Sequence, residues 1–372
     1  MIFKIIIMKR LLKDIYNYIN IYIMSQIIIT PIPSINKSLI GNTITVHGWV
    51  ENIRKGKVNT FIDLVDGPNK SIVNINNSHI SSDNFLQCIV SGNNSLLSDF
   101  ETVYRSSFIS LTGIISELPP RAKTSKGVEL KVTQLLHNSK SRHDYDSIVP
   151  LNSYNHDNHI LYLRHNKRRN FILLTDLVLR ALNKTASNMN MVKITPPLYG
   201  SVKCEGGSEL YETDHFGTPA YLTQSSQMYL EAALPATLTG TYCDSPSFRK
   251  EKSRTKRHLT QFTHWECEMF GFYNFNMFLD FLKTFLNSFF ANLFKLDKFK
   301  VLEVLQREEF IKEIISKDIK ILKHEEAIQI LNESKITKES GKTFEPYDDI
   351  PESQERKLID NIGSIVFLTH FP

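Results

Sequence analysis

The densest run of chemically capable side chains lies between Ser247 and Glu266, where the chain reads SFRKEKSRTKRHLTQFTHWE. Six basic residues and one acidic residue stand from Arg249 to Arg257. In an extended strand Arg249 and Glu251 project from one face, because successive side chains alternate. A guanidinium there suits a phosphate, which it meets through paired, charge-assisted hydrogen bonds. Glu251 could accept from the amine of an adenine, leaving Phe262 free to stack on the base. A charge run is equally what a solvated hairpin loop looks like. Against that stands the apolar stretch Phe262 to Phe272, which returns directly from the loop.

Two shorter clusters precede this run. Cys204-Glu205-Gly206-Gly207 sets a carboxylate beside two glycines, as in a loop that closes on a ligand. Tyr221 to Glu231, YLTQSSQMYLE, gathers amides, hydroxyls and a carboxylate where a strand gives way to a helix.

These groups need elements to position them. Phe171, Leu174, Val178, Ala181 and Leu182 recur at helical spacing within Arg168 to Asn188. Met191 to Thr195 reads as a short strand, closed by Pro196 and Pro197, and this helix–strand pair is a plausible dimer seam. After Phe272 the spacing of Phe278, Phe281, Leu282, Phe285 and Phe289 predicts a packed helix, followed by a charged helical stretch from Glu303 to Ser334 and a strand at Ile365 to Leu368.

Residues 36–138 have a different texture. Alternation through Ile44, Val46 and Trp49, a basic turn Arg54-Lys55-Gly56-Lys57, and runs at Thr60–Val65, Ser71–Ile75, Phe108–Ile115 and Val128–Val132 predict five short strands around a polar, helical stretch. Five strands in this span suit an OB-type barrel, a fold that offers aromatic and basic groups to single-stranded nucleic acid. Phe61 beside Arg54, Lys55 and Lys57 is the candidate patch; a barrel-core phenylalanine in a solvated hairpin is the alternative. The expected organisation is α+β: an N-terminal extension over 1–35, a barrel over 36–138, a polar linker over 139–157 and a second domain over 158–372.

Composition narrows the field. The 372 residues carry 44 Lys and Arg against 39 Asp and Glu, a net charge of +5 that permits a polyanionic partner without demanding one. Four cysteines, Cys88, Cys204, Cys243 and Cys267, lie far apart with no CxxC pair, which argues against a zinc cluster or disulfide framework and for a reducing compartment. Apolar runs before Met24 are broken by Lys4, Lys9, Arg10, Lys13 and Asp14, so no membrane span is expected there. Met24 is the expected start of the folded protein. The expected location is the cytoplasm; mitochondria are the alternative, since Asp14 is the only acidic residue before Glu51.

FRKE…RTKRHLTQFTHWE resembles motif 2 of the class II aminoacyl-tRNA synthetases. CEGG and LTQSSQMYLE are similar to the aspartyl/asparaginyl subgroup, which carries an N-terminal OB anticodon-binding domain, and the asparaginyl enzymes of eukaryotes and archaea match best. The resemblance runs from about Thr43 to Pro372. It implies that Arg249 clamps the ATP α-phosphate and the amino-acid carboxylate and is the catalytic residue. Glu251 would accept from the adenine amine, Phe262 would stack on its ring, and Arg257 with His258 would meet the terminal phosphates. Glu205 would bind the substrate ammonium and Gln227 the bound amino acid. Arg54 and Phe61 become anticodon contacts, and the helix and strand ending at Pro197 become a two-fold homodimer interface. The implied reaction joins asparagine and ATP into an adenylate, then passes the acyl group to tRNA(Asn).

Asparagine against aspartate turns on charge. Aspartyl enzymes place a lysine on the helix after QSxQ, whereas Met228-Tyr229-Leu230-Glu231 has none. Glu231 can accept from an amide NH₂ and would repel a carboxylate; alternatively it only faces solvent.

The resemblance also implies parts that do not occur. No GxGxGxxR-like segment, the mark of motif 3, exists in these 372 residues. The expected Mg²⁺ ligands for ATP would lie beyond Pro372. A C-terminally incomplete catalytic domain is therefore expected, with activity that fails in isolation or depends on a second polypeptide carrying motif 3. Aspartate–tRNA ligase and a non-catalytic tRNA-binding remnant remain the alternative functions.

Overall fold

The computed structural model describes residues 28–66, 84–92, 94–118, 126–141, 163, 166–201, 203–204, 210–250, 259–298 and 300–371. Chain contacts divide it into two compact units, Met1–Asn170 and Phe171–Pro372. The expected strand at Ser71–Ile75 and most of the expected N-terminal extension and linker lie outside the described residues.

The first unit contains a closed barrel of β1 (Thr43–Lys55), β2 (Asn59–Val65), β3 (Phe85–Ser91), β4 (Phe108–Glu117) and β5 (Val128–Asn138), in the order β1-β2-β3-β5-β4. A short helix, α1 (Asn94–Asp99), follows β3. Alternation builds it: Ile62, Leu64, Leu86, Cys88, Val90, Leu111 and Leu130 point inward and are fully buried. Each such aliphatic side chain contributes about 1.5–3 kcal/mol by leaving water. Closure needs close backbone approach between β4 and β5. A Cβ on Gly113 would stand 2.3 Å from the Lys131 carbonyl oxygen, so only glycine fits there. Ahead of β1, Ile32 and Ile35 plug the same core.

The third strand departs from expectation. Phe85–Ser91 falls in the stretch expected to be polar and helical, yet it pairs with β2 from Asn59↔Ser91 to Val65↔Phe85 and runs parallel to β5 at Cys88↔Leu130. The deciding pattern is Leu86, Cys88 and Val90 buried at period two, which long-range pairing rewards over local propensity.

α2 (Asn166–Asn188), which lies in the second unit from Phe171 onward, leads into β6 (Val192–Lys193). Next come β7 (Tyr199–Gly200), β8 (Glu212–His215) and β9 (Thr218–Leu222), which form a small sheet in the order β7-β9-β8. After α3 (Gln227–Thr237), the strands β10 (Gly240–Phe248) and β11 (Gln261–Met269) pair antiparallel along their whole length. β6 joins β10 on its other edge in parallel register. One face of this sheet is backed by aromatic packing onto α4 (Phe275–Leu296), including Trp265 against Phe285 at 5.1 Å. Asn274 caps α4, its side-chain oxygen accepting from the Met277 amide at 3.0 Å.

The charged stretch from Glu303 to Ser334 is not one helical run. It breaks into α5 (Val301–Val304), α6 (Glu308–Ile315), β12 (Lys320–Lys323) and α7 (His324–Glu333). β12 is drawn into strand geometry by parallel pairing with β13 (Val366–Thr369), the expected C-terminal strand, and α8 (Glu352–Ile362) packs beside α7. No described helix is long and apolar enough to cross a membrane.

Candidate active site

Strand alternation on the β10–β11 pair sorts the residues onto two faces. Trp265, Cys267 and Met269 pack into a cluster with Ala186, Met191 and Tyr242. The opposite face carries Cys243, Ser245 and Ser247 of β10, and Phe262, His264, Glu266 and Glu268 of β11.

Arg249 stands just beyond β10, half-buried, its amide donating to the Thr260 carbonyl at 3.1 Å. Ser247 pairs with Phe262, so Arg249 is diagonal to that ring, and its guanidinium lies 5.7 Å from the ring centroid. The ring of Phe262 is next to His264 at 5.5 Å. His264 Nδ1 sits 3.2 Å from Ser247 Oγ and 3.4 Å from Glu266 Oε1. Glu266 is tied down in turn: Oε1 accepts from Ser225 Oγ and Oε2 from the Ser226 amide at 2.8 Å. A continuous row thus runs from a cation, over an aromatic ring and an imidazole, to an anchored carboxylate.

The start of α3 closes the row. The Gln227 amide donates to Ser225 Oγ at 3.1 Å, and Gln227 Nε2 donates to Glu231 Oε1 at 2.8 Å. Burial, then the charges of Glu231 and Glu266, push the Glu268 carboxyl above its usual range. Three carboxylates therefore share one end of the site, where negative potential favours a cation or an amide NH₂ over an anion. Cys204 donates its thiol to the Ser225 carbonyl at 3.3 Å, which brings the segment before Glu205 to the same region.

The structure brings together Arg249, Phe262, Gln227 and Glu231. Glu205, Glu251, Arg257 and His258 lie outside the described residues. His264, Glu266 and Glu268 are site residues that the motifs alone did not single out. Their signal is present in the sequence, since they follow Phe262 at period two.

On the barrel, Arg54 and Phe61 are direct cross-strand partners, with the guanidinium 5.9 Å from the ring centroid. Arg54 also pairs with the buried Asp63 at 3.1 Å. The same outer face bears Gln87, whose Nε2 donates to the buried Glu129 at 2.8 Å. Phe61 is not a core residue: the inward positions on β2 are Ile62 and Leu64.

Residues 152–372 match the family described as tRNA synthetases class II (D, K and N), and the chain belongs to that family. A probable cytoplasmic asparagine–tRNA ligase of Schizosaccharomyces pombe is 36% identical over 338 residues, covering 88% of this chain and 56% of the relative. A probable cytoplasmic asparagine–tRNA ligase of Encephalitozoon cuniculi is 31% identical, covering 91% of this chain and 70% of the relative. The asparaginyl-tRNA synthetase of Entamoeba histolytica superposes with a TM-score of 0.71 at 26% identity, over 94% of this chain and 76% of that one. That of Pyrococcus horikoshii, in complex with asparaginyl-adenylate, shares the fold with a TM-score of 0.73 at 23% identity, over 91% of this chain and 73% of that one. The chain spans about half the length of the first curated relatives it matches, between 48% and 58%.

Proposed function

We propose that the chain is an asparagine–tRNA ligase: it activates asparagine with ATP to asparaginyl-adenylate and transfers the acyl group to tRNA(Asn). The observation that carries this reading is the row from Arg249 over Phe262 to the carboxylates Glu266, Glu268 and Glu231. Phe262 offers a ring for adenine. Arg249, one diagonal step away, is within reach of the α-phosphate, where it would offset the charge that develops as the asparagine carboxylate attacks phosphorus. Pyrophosphate leaves as the acyl–phosphate bond forms. Glu251, Arg257 and His258 complete the nucleotide contacts in this reading, and Glu205 closes over the substrate ammonium.

The carboxylate end selects the side chain. Gln227 and Glu231 are proposed to meet the bound amino acid, with Glu231 accepting from the asparagine amide. An aspartate side chain would face Glu231, Glu266 and Glu268 with no lysine on α3 to offset them. Aspartate is therefore the disfavoured substrate. Mg²⁺ enters this reading as the ion carried by ATP; among the described residues no group of three or more His, Cys, Asp or Glu is arranged to hold a metal.

Arg54 and Phe61 are proposed to contact the anticodon, Phe61 by stacking. The proposed domains are the barrel at 36–138, a linker at 139–157 and the catalytic domain at 158–372. A homodimer through α2 and β6 and a cytoplasmic location belong to the same reading. Asparagine- and aspartate-dependent ATP–pyrophosphate exchange, run side by side on the purified chain, tests it. Exchange with asparagine alone supports the ligase reading and overturns the expectation that the chain fails in isolation. Exchange with aspartate, or salt-dependent tRNA binding with no exchange for either amino acid, would replace it with the aspartate or non-catalytic reading.

A further inference from the structure

Behind the site, the other face of the β10–β11 pair carries polar groups to which the functional reading gives no role. Asn183 of α2 uses both ends of its carboxamide. Its Nδ2 donates to Asp244 Oδ2 at 2.7 Å, and its Oδ1 accepts from the Trp265 indole N–H at 3.0 Å. The Tyr242 hydroxyl donates to the Asn183 carbonyl at 3.5 Å. Lys193 of β6 completes the set, its Nζ 2.5 Å from Asp244 Oδ1. Trp265 stacks on Tyr242 at 5.7 Å.

Burial works against the charge on Asp244, yet Asn183 and Lys193 outweigh it and hold the carboxyl below its usual range. Polar groups placed against a core are costly unless satisfied, and apolar packing could have filled the same space. What a satisfied network adds is a fixed geometry. Asp244 and Trp265 are direct cross-strand partners, and their chain neighbours Cys243, Ser245, His264 and Glu266 turn to the site face. A slip of one residue would exchange the two faces.

We infer that Asn183 is a positioning residue for the activation reaction. Through Asp244 and Trp265 it holds β10 against β11 in the register that places Ser247, His264 and Glu266. The inference rests on the function proposed above, and Asn183 itself touches no substrate.

A carboxylate at this position would still accept from Trp265 but would oppose Asp244. The groups facing it are Asp244 and Tyr242 from β10 and Trp265 from β11, and Lys193 of β6 pairs with the other oxygen of Asp244. At pH 8 the Asn183→Asp variant sets two ionised carboxylates together. Lowering the pH lets the pair share a proton, which replaces the lost N–H donor. Exchanging the groups in Asn183→Asp/Asp244→Asn restores a donor–acceptor pair at any pH.

The test is calorimetric binding of ATP and of a non-hydrolysable asparaginyl-adenylate analogue to the 372-residue chain, with circular dichroism as the control for folding. Asn183→Ala is expected to fold and to bind the analogue at least tenfold more weakly. Asn183→Asp should show the same loss at pH 8 and recover to within about threefold of the unmodified chain at pH 5.5, and the double exchange should recover at pH 8. A role confined to stability would lower the melting temperature and leave binding and its pH profile unmoved. Unchanged binding by folded Asn183→Ala, with no pH dependence in Asn183→Asp, overturns the inference alone. Should Asn183→Ala fail to fold, the pH series and the double exchange decide. An unmodified chain that binds neither ATP nor the analogue overturns the proposed function, and this inference with it.

Discussion

Arg249 and Phe262 meet across the diagonal of the β10–β11 ladder, the guanidinium 5.7 Å from the ring centroid. Diagonal neighbours on one face of an antiparallel pair stay within reach of long and aromatic side chains. One strand register therefore sets the distance between the ring proposed to meet a base and the charge proposed to meet a phosphate.

The two roles should separate by mutation. Phe262→Ala removes the stacking surface and is expected to weaken ATP binding by about 1–3 kcal/mol, roughly 5- to 150-fold, without changing asparagine binding. Arg249→Lys keeps the charge and loses the bidentate geometry. Its expected effect is a fall of about 10²–10³ in the exchange rate, with ATP affinity altered far less. Calorimetry and exchange rates on the same preparations check both.

In the barrel, Phe61 and Asp63 lie on the same outer face and should fail differently. Phe61 is half-exposed, so Phe61→Ala should leave the melting temperature near its original value and weaken tRNA binding by about 1–3 kcal/mol. Asp63 is buried under the Arg54 and Asn52 side chains, both of which donate to it. Asp63→Ala leaves those donors without their acceptor and should cost about 1–3 kcal/mol of stability. Thermal melts beside filter binding distinguish the pair.

Glu268 makes a prediction in pH. Its carboxyl lies above the usual range because burial, Glu231 and Glu266 all disfavour its charge. A raised acid binds more protons in the folded than in the unfolded chain, so its contribution is fully present at low pH and is lost as pH rises through the folded value. Glu268→Gln removes the unfavourable charge. It should raise the melting temperature at pH 7.5 and change it little at pH 4. An equal shift at both would point to packing instead.

Thiol chemistry offers a further check. Burial raises the Cys88 thiol far above its ordinary value and lifts Cys243 as well. Burial, with Glu268 and Cys243 adding to it, pushes Cys267 up to about 11. Nucleophilic labelling proceeds through the thiolate, so iodoacetamide at pH 8 should leave these three unmodified in the folded chain on a timescale that alkylates them in the unfolded chain. Peptide mass spectrometry reads the result. Modification of Cys267 in the folded chain at its unfolded rate would contradict it.

Much of the architecture is legible in the amino-acid sequence. Period-two alternation marks β1, β2, β4 and β5; helical spacing marks α2 and α4; and the stretch that begins at Phe262 marks β11. Each pattern is local, repeated over several residues, and points apolar side chains one way. Where the signal is short or mixed, partners decide. Phe85–Ser91 is a barrel strand because β2 and β5 are there to pair with it. Lys320–Lys323 is a strand because β13 returns alongside.

The same division holds for the site. Residue identity and spacing mark out Arg249, Glu251 and Phe262 as able to handle a phosphate and a base, whereas the expected roles of Gln227 and Glu231 come from the family resemblance. Tertiary structure alone determines that Glu266 and Glu268 stand beside Glu231, and that Asn183 reaches Asp244 and Trp265 from 61 and 82 residues away in the chain. Alternation along a strand is a property of neighbouring residues. The potential of three carboxylates, or the orientation of one carboxamide, depends on which distant segments the fold brings within hydrogen-bonding range.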